Sequence, residues 1–317
     1  MRDASHRCSR KVDVAGTGFI VLDRVYADGS LTDEALGGSC GNVLVSLAML
    51  HRDVAPVVAL GNDETGERLV AELFHAGALV EYISRRGDLR SPVLAQSLDT
   101  RSGRHDFSFM CPETNEAFPN YEPIGEDELA LARAVLTRCN VFYADRLSGS
   151  ILAAMRMASI AGAVIFFEPS EIHDEHLFDE ALKVVSILKY SEDRLGKRLS
   201  GMQSRCVRIV TYGAAGLEVS DRHGVTWCAA AAAPTVLDTC GSGDMVSVGV
   251  IDWMLANQFA STDLRATSLL DGIISGQRLA AENCAYAGAR GLFRHRGADY
   301  VRTLLRGYAE GYSAATE

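Results

Sequence analysis

Short apolar runs alternate with longer stretches of helical periodicity along most of the chain. Residues 12–15, 55–60, 141–144, 163–167, 184–188, 207–211 and 216–219 are short, apolar and bounded by polar or glycine residues, so they read as strands. Residues 41–50, 67–75, 127–138, 151–161, 245–255 and 268–286 carry apolar positions at helical spacing. This alternation predicts an α/β fold, a mostly parallel sheet covered by helices. Two stretches break it. Residues 93–98 and 105–109 flank a polar tip at 99–104 and read as a β-hairpin, and residues 27–38 are polar with glycine. Both are assigned to a small separate layer. Repeats, low-complexity linkers and a boundary between two equal domains are absent from the sequence.

Composition narrows the partners. The 317 residues are 48% hydrophobic and 23% charged, enough for one α/β domain with an appendage and a large core. The net charge is −10 and the pI about 5.3. A basic footprint for a polynucleotide is missing, so no nucleic-acid partner is expected. Any anion must be held locally, by backbone amides or a metal. The eight cysteines form no Cys-x-x-Cys pair, which disfavours zinc and thioredoxin-like chemistry and suits reduced core thiols. The expected location is cytoplasmic. Residues 1–11 are polar and basic without a signal-peptide run, and are expected to form a flexible tail. No apolar run is long enough for a bilayer, so no membrane partner is expected.

The most informative segment is Asp238-Thr239-Cys240-Gly241-Ser242-Gly243-Asp244, which enters the apolar run 245–255. Glycines let backbone amides approach an anion closely, and a helix N-terminus adds free N–H groups and a favourable dipole. Asp244 falls in the first turn, where a carboxylate can take a proton from an attacking hydroxyl. A plain helix start with an Asp near its cap is the competing reading. Other phosphate loops are absent: there is no Gly-x4-Gly-Lys-Ser/Thr, and Val21 stands where a dinucleotide fingerprint begun by Gly16 and Gly18 needs its third glycine.

The seven-residue segment resembles the C-terminal signature of the ribokinase-like (PfkB) carbohydrate and nucleoside kinases. Gly37-Gly38-Ser39-Cys40-Gly41-Asn42 is similar to that family's Gly-Gly-x3-Asn motif. Gly61-Asn62-Asp63-Glu64-Thr65-Gly66, Thr211-Tyr212-Gly213-Ala214-Ala215-Gly216 and Gly288-Ala289 are similar to further family turns, in the same order along residues 12–292. The resemblance implies a three-layer α/β/α domain over 12–312 with a small β-lid formed by about 24–38 and 91–110. It implies an ATP-dependent kinase that phosphorylates a hydroxyl of a sugar or sugar-like molecule. Asp244 is then the general base, and Gly241, Ser242 and Gly243 form the anion hole. Asp23, Gly37, Gly38 and Asn42 bind the acceptor, and Thr211, Gly213, Gly216 and Gly288 bind the nucleotide; Asn283, polar on an otherwise apolar helix segment, is assigned to the adenine pocket. Asp238 is implied as a monovalent-cation (K+) residue, with a turn-stabilising Asx role as the alternative. For Asp23 the alternative is a surface-loop Asp, for Asn42 a helix-start residue, for Asn283 a solvated or core-satisfied Asn.

One departure concerns magnesium. The family's Asn-x-x-Glu falls on Ser191 to Arg194, so Ser191 and Arg194 stand where Asn and Glu are expected. Glu192 and Asp193 are the nearest substitutes, and Glu192 is assigned to the Mg2+ region. The resemblance also implies a homodimer through the lid. A nucleoside kinase, with Phe19, Phe107 and Phe109 as candidate base-stacking rings that ordinary core packing explains equally well, and a metabolite-sensing homologue with little turnover are the alternative functions.

Overall fold

The protein is described as a computed structural model covering residues 11–27, 30–99, 104–202, 205–260, 262 and 264–313. Nearly all of the expected tail, and the hairpin tip at 100–103, lie outside the described residues. The central sheet, among the described residues, runs in the order β14-β13-β12-β11-β10-β9-β1-β4. Its strands are β1 (Val12–Thr17), β4 (Val54–Pro56), β9 (Cys139–Ala144), β10 (Val164–Phe167), β11 (Ile187–Ser191), β12 (Val207–Thr211), β13 (Gly216–Asp221) and β14 (Gly224–Ala229). From β4 to β12 every pairing is parallel, and β13 and β14 close one edge as an antiparallel hairpin.

Alternate side chains of the parallel strands enter different cores, as the pleat requires. Val14, Val141, Tyr143, Val164 and Phe166 pack in one, together with residues of α1 (Ser39–Met49), α6 (Ser242–Ala256), α7 (Leu270–Asn283) and the start of α8 (Gly291–Ser313). Ala15, Phe142, Ala144, Ile165 and Phe167 pack in the other, with α3 (Glu126–Leu136), α4 (Gly149–Ile160) and α5 (Glu175–Leu182). The predicted three layers therefore stand. Both faces of the sheet are dry, which is why its strands read as continuous apolar runs.

A second sheet, in the order β3-β2-β7-β8, is built from β2 (Val21–Ala27), β3 (Ser30–Gly37), β7 (Val93–Asp99) and β8 (Arg104–Ser108). The stretch 27–38 is thus largely a strand, paired antiparallel to β2 in the register Val21↔Gly37 and Asp23↔Ala35. The expected strand 55–60 is two. Pro56 ends the β1–β4 ladder, and β5 (Val58–Gly61) turns to pair with β6 (Ile83–Arg86) instead. The expected strand 184–188 begins only at Ile187, and the helix expected over 268–286 spans Leu270–Asn283 after a short tight turn. Among the described residues, no helix is long and apolar enough to cross a membrane.

Helices α6 and α7 pack close enough that Gly249 meets Gly276 directly. A methyl on Gly249 would lie 2.4 Å from the Gly276 Cα. Gly249→Ala is therefore expected to destabilise the fold by about 1–3 kcal/mol through overpacking. Urea denaturation should show a lower midpoint with an unchanged m-value.

Candidate active site

The parallel strands β1, β9, β10, β11 and β12 end on one side of the sheet, and the small sheet and the N-termini of α1 and α6 stand over those ends. Between them lies a cleft of about 1150 Å³. This is where an open α/β sheet places its ligands. Of the residues expected from sequence, Asp23, Gly38, Asn42, Glu192, Thr211, Gly213, Gly241, Ser242, Gly243 and Asp244 line it.

The centre is formed by two helix starts. Gly241 adopts φ 70°, and its missing Cβ lets Ala289 pack within 2.6 Å of where that Cβ would stand. Only glycine supplies that left-handed turn without strain. Ser242 and Gly243 follow as the first residues of α6, and Asp244 is buried in its first turn. On α1, Gly38 takes φ 79° beneath the Phe19 carbonyl and sets the helix start, which buries Asn42. Asn42 Nδ2 donates to Asp244 Oδ2 at 2.8 Å. Burial, then the nearby Glu168 carboxylate, push Asp244 up to about 7; the Asn42 bond and the Lys189 cation act the other way.

Asp23 projects from β2 into the space left by Gly37, where a methyl would lie 1.8 Å from Asp23 Oδ2. Burial raises its carboxyl to about 7, against the opposing fields of Arg290 and Arg294. Among the described residues, Asp23 Oδ1 and Asn42 Oδ1 are both buried without a hydrogen-bond partner. Two unpaired acceptors facing one cleft beside Asp244 suit a ligand that donates several hydroxyl protons.

The structure adds groups the sequence reading missed. Asp145, directly after β9, is fully buried and accepts from Phe19 N at 2.8 Å and Cys40 N at 3.1 Å. It thereby fixes the β1–β2 turn against the start of α1. Gly18 belongs to this contact and not to a dinucleotide loop, since a Cβ there would meet Asp145 Oδ1 at 1.7 Å. Glu168, directly after β10, pairs with the buried Lys189 of β11 and accepts from Ser247 and from Tyr143. Both acids sit at strand C-termini, and that position was their only sequence signal. Arg290 is buried as well, donates to the Leu36 carbonyl at 2.7 Å and lies 3.5 Å from Glu72.

Toward the other end of the cleft, Thr211, Tyr212, Gly213, Val236 and Leu237 form the wall, and Tyr212 packs on Trp227 at 5.3 Å between ring centres. Val236 and Leu237 are apolar and mostly exposed, as a site for a planar base requires. Gly216 and Gly288 stand behind this wall. Gly216 shapes the β12–β13 turn, and Gly288 N donates to Asp238 Oδ2 at 2.6 Å while Cys240 N donates to Asp238 Oδ1 at 2.8 Å. Asp238 thus ties the glycine turn to the 288–289 loop, its alternative role. Asn283 does not face the cleft: it is fully buried, its amide turned to the carbonyls of Gly288 and Ala289 and its oxygen accepting from Leu292 N. Ser191, the last residue of β11, and Glu192, Asp193 and Arg194, in the wide helical turn that follows it, line the same cleft.

Comparison with known proteins agrees with this geometry. A fructokinase from Vibrio alginolyticus is 24% identical over 257 residues, covering 74% of this chain and 81% of that protein. The structure of an ATP-bound fructokinase from Xylella fastidiosa superposes with a TM-score of 0.78 at 18% identity, covering 96% of this chain and all of the other. That of aminoimidazole riboside kinase from Salmonella enterica, with aminoimidazole riboside and an ATP analogue, superposes with a TM-score of 0.69 at 21% identity, covering 92% of this chain and 99% of the other. The pfkB family carbohydrate kinase profile matches residues 24–294, across both helix starts and the small sheet, and the chain belongs to that family.

Proposed function

We propose that the protein transfers the γ-phosphoryl group of ATP to a hydroxyl of a sugar or sugar-like acceptor, with Asp244 as the general base. The observation that carries this reading is the arrangement around Asp244. Its carboxylate lies in the first turn of α6, directly after the turn amides of Gly241 to Gly243, and bonds to Asn42, whose oxygen is left without a partner. The acceptor lies between Asp23 and Asn42, its hydroxyl protons taken by their two free oxygens. One hydroxyl points at Asp244, which removes its proton as the oxygen attacks phosphorus. The turn amides and the α6 dipole receive the charge on the transferring group. The nucleotide base lies against Tyr212, Val236 and Leu237.

The residues present fit a magnesium–nucleotide complex. Glu192 and Asp193 stand exposed on the cleft wall, and magnesium bound with a nucleotide takes most of its ligands from phosphates and water. Glu192 would hold it, and when bound it supplies charge neutralisation on the phosphates. A monovalent cation at Asp238 has no part in the proposal, because that carboxylate already receives the Cys240 and Gly288 amides. The small sheet acts as a lid that keeps water from the phosphoryl group.

A nucleoside-like acceptor is a second reading, and one observation favours it. Phe19, Phe107 and Phe109 all line the acceptor end, and Phe19 and Phe109 meet edge to face at 6.3 Å. An aromatic aglycone could stack there. Phosphotransfer from ATP to a panel of sugars, sugar derivatives and nucleosides decides between the two. Saturable binding with no product from any acceptor would leave a sensor instead.

Asp244→Asn is expected to lower turnover by about 10²–10⁴-fold, with nucleotide binding retained. Near-full turnover would reject the assignment. The base works only when deprotonated, and its pKa is raised to about 7 by burial and by Glu168. The wild-type kcat/KM should therefore fall as pH drops below about 7, and the residual rate of the variant should lack that limb.

The same substitution bears on stability. A carboxyl whose folded pKa lies above its unfolded value holds its proton better in the fold, so stability falls as pH rises from the unfolded value to the folded one, and the full penalty stands above about 7. Asp244→Asn removes this penalty and still offers an oxygen to Asn42. Its melting temperature should exceed that of the wild type at pH 8, and the gain should shrink toward pH 5.

A further inference from the structure

We propose that Arg146 sets acceptor specificity by receiving an anionic substituent, a carboxylate or a phosphate monoester, carried by the acceptor away from its reacting hydroxyl. The inference rests on the kinase reading above and deepens it.

Arg146 follows Asp145 at the end of β9 and lines the acceptor end of the cleft. Its guanidinium is fixed on two sides. Nη1 donates to the Asp145 carbonyl at 3.0 Å and lies 3.4 Å from Asp145 Oδ2, and the guanidinium carbon stands 4.7 Å over the Phe19 ring. Asp145 is fully buried, so the tethered side faces the interior. The other edge, Nε and Nη2, donates to nothing among the described residues, while the side chain keeps 22% exposure. Those two N–H groups form the fork that carboxylate and phosphate oxygens engage in pairs. A fork already oriented by an ion pair and a ring loses little entropy on binding.

The space beside it is also built. A side cavity of about 520 Å³ shares Phe19, Phe109 and Arg146 with the cleft, so Arg146 stands on the wall common to both. Tyr121 lines this cavity edge-on to Phe19, and its buried hydroxyl has no partner among the described residues. The carboxylates at the outer side of the cavity already have partners. Glu171 pairs with His173 at 2.9 Å, and Asp174 caps α5 through Leu177 N. Of the other cations that line the cleft, Lys189 is buried against Glu168 and Arg194 lies on the wall after β11. Arg146, though paired with Asp145 on one side, thus presents an unengaged guanidinium edge at the acceptor end. A neutral sugar would leave its fork and the Tyr121 hydroxyl without strong acceptors in a closed site.

The test is equilibrium titration of the full chain in the presence of a non-hydrolysable ATP analogue. Hexonates are compared with their alditols, and hexose phosphates with their parent hexoses, so that the two arms separate carboxylate from phosphate. One anionic series should bind at least about tenfold more tightly than its neutral partners. Arg146→Gln should remove that preference while the neutral partners keep their affinity within about twofold, and Arg146→Lys, which retains the charge without the fork, should fall between. Equal binding of neutral and anionic members, or no saturable binding by any anionic member, would overturn the proposal. So would an unchanged preference in Arg146→Gln, or in Arg146→Lys should the Gln variant fail to fold. Phosphotransfer is followed in the same panel. An Arg146-dependent preference without product would defeat the kinase reading and leave the anion site standing.

Discussion

The hydrogen bond from Asn42 to Asp244 joins residues 202 apart in sequence, and the arrangement of the cleft depends on it. It requires the first turns of α1 and α6 to meet over the strand ends. Gly38 and Gly241 make both turns possible by adopting backbone angles that side chains resist. Asp145 holds the α1 side in place through Cys40 N, and Asp238 holds the α6 side through Cys240 N and Gly288 N. Each buried carboxylate bonds amides from two segments distant in the chain or from the turn it stabilises. The order of strands follows the same demand. Strand β1 lies between β9 and β4, so the turn after it opens beside Asp145 and leads directly into the small sheet that carries Asp23.

This concentration of carboxylates opposes folding. Asp23, Asp145 and Asp244 all have pKa values raised, chiefly by burial, to about 7, 6 and 7. Their ionised forms are better solvated in the unfolded chain, so each weakens the fold as pH rises between its ordinary value and its raised one. Lys189 offsets part of this from beneath, yet it is itself paired with Glu168, and Glu168 raises Asp244 further. Such strain suits the base proposed above, because one of ordinary carboxylate strength would accept a hydroxyl proton poorly. The large dry cores on both sides of the sheet supply the stability that the site does not.

Features with a local cause were legible in the sequence. The glycine turn before α6, the Gly37-Gly38 pair and Asn42 each sit where a loop meets an apolar helix, so spacing alone exposes them. The parallel strands were legible because burial on both faces leaves an unbroken apolar run. Strand β14 was not, since at the sheet edge its side chains are half-buried or exposed and its pattern resembles a loop. Strands β2 and β3 show no strand pattern, because Asp23, Arg24, Asp33 and Glu34 interrupt the alternation, and only the resemblance assigned about 24–38 to a β-lid. Asp145, Glu168 and Arg290 are single polar residues whose partners lie 105, 21 and 254 positions away, and local patterns carry no such distances. Asn283 was assigned to the nucleotide for the converse reason. A polar residue on an apolar helix announces a buried need for hydrogen bonds, but the sequence does not say whether a ligand or a loop meets that need.

In the proposed reaction the cleft must draw several negative charges toward a chain whose net charge is −10, and it lines its wall with few cations. At the centre, attraction comes from turn amides and a helix dipole, which carry no net charge and leave the overall acidity unchanged. The departure from the family pattern after β11 bears on this balance. Arg194, standing where Glu is expected, puts a positive charge on the cleft wall after β11, and Arg146 puts another at the acceptor end. Focused between low-dielectric walls, two such charges raise the local concentration of an anion far more than they would on an open surface. Glu192 and Asp193 keep carboxylates on the same wall as Arg194. In the proposed reaction that wall would offer carboxylates to a metal–nucleotide and a cation to its phosphates.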